Sequence, residues 1–250
     1  MLHLRERQDD GIPRLGPLVT LLPARGLLFL GVHAVIATGL LLAGEANPWF
    51  LAGHWWPITG TLVNLVSLGV LSGLLRREGI SYGSVVSGGG GAAPGAIVPV
   101  AVILVSAGVT AVSVVLFARV FMAGFQSAVT ILINPLPLWG AVLGGVGFPI
   151  TLAVVELPFY YGYLMPRLAA RGVPPGAALA LCVAFHTAQY VALPFLPAVP
   201  YFLYRLLMPA PFAVVVGSAL LWRPRLMPFL MGAQGALNAA AGVMLLLQAK

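Results

Sequence analysis

Ala96-Ile-Val-Pro-Val-Ala-Val-Ile-Leu-Val-Ser-Ala-Gly-Val-Thr-Ala-Val-Ser-Val-Val-Leu-Phe-Ala118 contains no charged side chain. A helix needs about 20 mostly apolar residues to cross the hydrocarbon core of a bilayer, and this stretch has that length. Comparable runs lie on either side of it, at about 26–44, 57–75, 138–164, 174–194, 199–221 and 226–248. The composition agrees with them. Of 250 residues, 60% are hydrophobic and 8% charged, and mean hydropathy is +1.00, whereas soluble domains carry about 25% charged residues. The pattern predicts an all-α, polytopic transmembrane helix bundle of seven spans, held in a lipid bilayer. The apolar stretch 120–137 leaves room for an eighth, shorter or re-entrant helix.

Thirteen Lys and Arg against six Asp and Glu give a net charge of +7. The basic residues stand singly or in pairs between apolar runs. That arrangement argues against a nucleic-acid partner and fits orientation signals. With the N-terminus cytoplasmic, Arg5, Arg7, Arg14, Arg25, Arg76, Arg77, Arg167, Arg171, Arg223 and Arg225 lie inside, and Arg119 and Lys250 outside. Trp49, Trp55 and Trp56 then fall in the first outside loop, where an aromatic belt is expected. The expected location is the inner (plasma) membrane of a prokaryote.

Residues 1–25 read as a polar, loosely ordered cytoplasmic tail and 26–250 as a single transmembrane domain. The run 26–44 exceeds the 7–15-residue core of a signal peptide, so it reads as a retained helix. The loop 76–95, with Gly88 to Gly91, lacks the Lys and Ser/Thr of a phosphate loop and reads as a flexible cytoplasmic linker. Gly140 and Gly144 form a small-xxx-small pair suited to helix packing. The lone Cys182 excludes an internal disulfide and reads as a small buried thiol.

Polar groups in hydrocarbon are costly, so each one inside a run is a candidate for function. Glu156 is the only acid within a run. A carboxylate there must be partnered, hydrated or protonated, and hydrogen bonding across helices for packing is the plainer alternative to catalysis. His33, in the first run, reads as a packing residue. His186 lies in the helix after the one carrying Glu156, and such neighbours tend to pack side by side. A His beside a carboxylate can share a proton and polarise a water. Gln234 and Asn238, four apart on one helix face, offer amide donors either for an oxyanion or for helix–helix hydrogen bonds.

These residues occur in a recognisable order. Glu156-Leu-Pro-Phe-Tyr-Tyr-Gly-Tyr-Leu-Met-Pro-Arg-Leu168 resembles the first motif, Glu-Glu-x-x-x-Arg, of the CAAX protease and bacteriocin-processing (CPBP) membrane family. Leu181-Cys-Val-Ala-Phe-His186 is similar to its second motif, Phe-x-x-x-His. Gln234-Gly-Ala-Leu-Asn238 is similar to its third, His-x-x-x-Asn, with Trp222-Arg-Pro-Arg-Leu-Met-Pro228 as lead-in. The resemblance covers about 138–248. Leu157 stands at the second glutamate position, Tyr161 at the arginine, Cys182 at the phenylalanine and Gln234 at the first histidine of the third motif.

The resemblance implies peptide-bond hydrolysis within the membrane, with Glu156 and His186 activating water and Gln234 and Asn238 holding the oxyanion. One His and one Glu are too few for a zinc site with its usual three protein ligands, so no metal and no other cofactor is expected. The eroded positions weigh toward a relative without activity, acting as a membrane scaffold or binding subunit beside other membrane proteins. An active endopeptidase working on a membrane-associated peptide stays open. So does a small transporter using Glu156 as its proton site, although no second intramembrane acid accompanies it.

Overall fold

The computed structural model describes residues 13–88 and 95–250; residues 1–12 of the expected tail and 89–94 of the expected linker lie outside the described residues. Among the described residues all regular structure is helical. In chain order the helices are α1 (Leu15–Leu21), α2 (Ala24–Leu42), α3 (Pro48–His54), α4 (Trp56–Arg77), α5 (Tyr82–Ser87), α6 (Ile97–Phe121) and α7 (Phe125–Leu132). Then come α8 (Leu138–Leu157), α9 (Met165–Ala170), α10 (Pro175–Ala188), α11 (Val199–Leu207), α12 (Ala210–Trp222) and α13 (Met227–Leu247). By length and composition, 6 helical stretches can cross a membrane: Ala24–Leu42, Trp56–Arg77, Ile97–Phe121, Leu138–Ala170, Val199–Trp222 and Pro224–Leu247.

The run 174–194 folds differently from the other apolar runs. Its helix α10 has 14 residues, or ~21 Å at 1.5 Å per residue, and it tightens into a 3-10 turn at Gln189–Ala192. Pro194 and Pro197 end helical continuation there. The extended chain beyond still passes to the far side of the bundle, since Pro194 and Leu196 lie against Gly53 at the end of α3. The stretch 120–137 holds the 8-residue α7.

Leu138–Ala170 is a helical rod of 33 residues that passes from α- to π-helical winding at Pro158–Leu164. Two prolines explain its contacts. Pro158 has no N–H for the carbonyl of Val154, four residues earlier, and the Tyr82 hydroxyl donates to that carbonyl instead. Burial pushes the Tyr82 phenol up to about 12, so it keeps the proton it donates. Helix α5, in a segment expected as a flexible loop, is thereby pinned to the rod. Pro149 likewise frees the carbonyl of Gly145, and Gly242 of α13 lies so close that a Cβ there would meet that oxygen at 2.1 Å. Gly144 packs as its spacing predicts, with Pro57 of α4 2.6 Å from where its Cβ would stand.

The rod fixes the two ends of the bundle. At Leu138, backbone bonds of 3.1 Å join Leu138 N–H to Lys250 and Lys250 N–H to Leu136. At the other end Arg171 Nε donates to the Pro13 carbonyl at 3.1 Å. Residues 13 and 250 therefore lie at opposite ends of the molecule. Leu18 and Leu22 are fully buried with Leu71, Leu75 and Leu164, so the end of the expected tail is a packed helix. Trp55 and Trp139, with ring centroids 5.5 Å apart, mark the Lys250 end.

Candidate functional site

Glu156 sits one residue before the end of α8, where Pro158 and the widened π turns begin. The π segment sends Tyr160 and Tyr161 to the same neighbour. The Tyr160 ring stacks on His186 at 5.5 Å between centroids, 8° from parallel. The Tyr161 hydroxyl meets His186 Nδ1 at 2.9 Å. Helix α10 and the 3-10 turn that continues it then present His186, Gln189 and Tyr190, which are three and four residues apart and so share a face.

The carboxylate of Glu156 is surrounded by donors. His186 Nε2 lies 2.9 Å from Oε1, and the Tyr190 hydroxyl donates to the same oxygen at 2.9 Å. Gln234 Nε2 also donates to Oε1. Gln189 Nε2 donates to Oε2 at 2.7 Å, and Arg25 Nη2 stands 3.6 Å from that oxygen. Because the carboxylate is acceptor-only, His186 Nε2 must carry hydrogen, leaving Nδ1 to Tyr161. Arg25 is held in turn by Gln189 Oε1 and Asn64 Oδ1, both at 2.8 Å, and Asn64 donates to Thr151 of α8 at 3.1 Å. The network ties α2, α4, α8, α10 and α13 together.

The carboxylate and most of its partners are buried. Glu156 and Gln234 are 1% exposed, His186 and Leu157 0%, and Tyr161 3%. A carboxylate has about four lone-pair directions; here three hydrogen bonds converge on Oε1 and one reaches Oε2, beside the Arg25 guanidinium. The site as built can hold a charge pair and brace five helices. The acceptor positions of Oε1 are all taken by protein donors.

Three of the four sequence-predicted site residues come together: Glu156, His186 and Gln234. Asn238 does not join them. It is half-buried, and its amide donates at 2.9 Å to the Gln234 carbonyl of its own helix. The expected pair of amides for an oxyanion is thus not formed, since the Gln234 amide already serves Glu156. Arg25, expected among the cytoplasmic charges, is completely buried and is the cation of the site. Gln189, Tyr190 and Asn64 were not singled out in the sequence. Their spacing from His186 was the one available signal for the first two. Among the described residues no three His, Cys, Asp or Glu side chains gather into a metal-binding group. His33 packs as expected, Nε2 3.2 Å from the Trp49 carbonyl, and Cys182 is buried and free.

Comparison with known proteins leaves this geometry to speak for itself: no family model, no curated protein and no solved structure matches the chain.

Proposed function

We propose that this chain is a CPBP-like integral membrane protein that has exchanged hydrolysis for a structural role, serving as a membrane scaffold or binding subunit. The buried Glu156 carboxylate, held by four protein hydrogen bonds, carries the reading. A general base must reach the proton it removes, directly or through one water, whereas the buried Glu156 carboxylate is already engaged by four protein donors and faces the Arg25 guanidinium. Replacement of motif residues by Leu157 and Tyr161 supports the same view. The cation that the motif places four residues after its second glutamate is supplied here by Arg25 of α2, which stabilises a buried carboxylate without opening a cleft.

The same reading gives the chain seven crossings with the N-terminus cytoplasmic. In support, residues 13 and 250 lie at opposite ends, which requires an odd number of passages. The broken α10 segment adds one to the six long helices. Arg76, Arg77, Arg171 and Arg223 cluster at the Pro13 end.

The test is proteolysis by the purified wild-type protein in nanodiscs, offered membrane-anchored peptides and read by mass spectrometry. The scaffold reading expects no cleavage above that of Glu156→Gln. Turnover by wild type that vanishes in a folded Glu156→Gln protein would sink it.

A further inference from the structure

Outside the Glu156 network, a cavity of about 760 Å³ opens at the Lys250 end, between α3, the α6–α7 turn and the start of α11. Its wall includes Trp49, Phe50, Phe121, Ile131, Pro200 and Tyr201. Ligand sites of a few hundred cubic ångströms are mostly apolar, with a small number of polar groups that fix orientation. Here Tyr201 is the informative residue. It is 2% exposed, and its hydroxyl, buried, has no hydrogen-bond partner among the described residues. A buried Tyr hydroxyl ordinarily has one. By contrast Arg205, one turn on, donates to the Tyr190 and Leu193 carbonyls.

We infer that this cavity binds one ester-linked membrane phospholipid, with an acyl chain along the aromatic wall and its ester carbonyl accepting the Tyr201 hydroxyl. The level of the site selects this occupant. The cavity lies at the end marked by Trp49, Trp55 and Trp139, and Trp and Tyr belts sit at the headgroup boundary, where ester carbonyls are found. Apart from Asn47 and Tyr201 the wall is apolar, so a free phosphate or a peptide backbone would leave several polar groups unpaired, whereas an acyl ester presents few acceptors on an apolar chain. The inference needs only that the chain is membrane-embedded, and stands whether or not Glu156 is catalytic.

The probes are dioleoylphosphatidylcholine and its diether analogue, which lacks the carbonyl, titrated against the delipidated full chain in detergent and followed by native mass spectrometry. Wild type should retain one diester molecule about tenfold more tightly than the diether, the worth of one buried hydrogen bond. Tyr201→Phe should erase that preference without lowering the melting temperature, because the hydroxyl gives up no protein partner. Ala198→Phe, which fills the cavity from the start of α11, should lose both lipids. Equal retention of diester and diether by wild type, or a preference that survives Tyr201→Phe, overturns the assignment. Co-purification of a stoichiometric isoprenoid quinone in the cavity overturns it as well.

Discussion

Removing Arg25 while keeping Glu156 leaves a carboxylate in the core with its counter-charge gone. Breaking a buried ion pair from one side costs about 3–5 kcal/mol, whereas replacing both partners by apolar residues of similar volume is often neutral or better. Arg25→Met and Glu156→Met should each destabilise strongly, and the double variant should recover most of the loss. Denaturant unfolding in mixed micelles across the double-mutant cycle measures it; costs that simply add would mean that the two charges are not coupled. Glu156 was legible from the sequence because it is the only acid in an apolar run, and His186 and Gln234 from their order along the chain. Arg25 was not legible. It meets Gln189 across 164 residues of sequence, and an arginine at the start of an apolar run looks the same whether it turns to the headgroups or to the core.

At the scale of elements, prolines were visible in the sequence but their partners were not. Gly242 sits over the Gly145 carbonyl that Pro149 frees, so Gly242→Ala drives a methyl group into backbone that cannot move aside. It should destabilise by at least about 1–3 kcal/mol and pry α13 from α8. Gly232, on the same helix, has open space where a Cβ would stand, so Gly232→Ala should be neutral or stabilising. Equal effects of the two would show that the α8–α13 contact is looser than the backbone indicates. Tyr82→Phe should cost about 1 kcal/mol and free α5 to faster hydrogen exchange. At the end of α3, burial holds the His54 imidazole below its ordinary 6.5, so the unfolded chain takes up that proton first. Stability from neutral His54 is complete above this ordinary value and declines as pH falls below it. Melting temperature followed from about pH 7.5 to about pH 5 should therefore drop more in wild type than in His54→Phe. The length of α10 was hidden for a related reason: an apolar run shows where a chain can sit in lipid, but Pro194, just past the 3-10 turn at Gln189–Ala192, limits how far its helix can run.

For the whole molecule, the charge asymmetry read from the sequence and the opposite placement of residues 13 and 250 together define a topology that labelling can decide. Cys182→Ala removes the single native thiol, after which one exposed position at a time can be changed to Cys. Ser87 lies on α5 at the Pro13 end; Ala46, Ala198 and Lys250 lie at the other. With seven crossings and a cytoplasmic N-terminus, a membrane-impermeant maleimide should label Ala46→Cys, Ala198→Cys and Lys250→Cys on intact cells, and Ser87→Cys only after permeabilisation. The Ala198 position discriminates most sharply. If the broken α10 segment does not cross, Ala198→Cys will behave like Ser87→Cys, the passages will number six, and the contact of Pro194 and Leu196 with Gly53 must form at a depth the label cannot reach. If every position reverses, the bundle stands as described but inverted, and the arginines at the Pro13 end face outward, against the bias that sets the orientation of most helical membrane proteins.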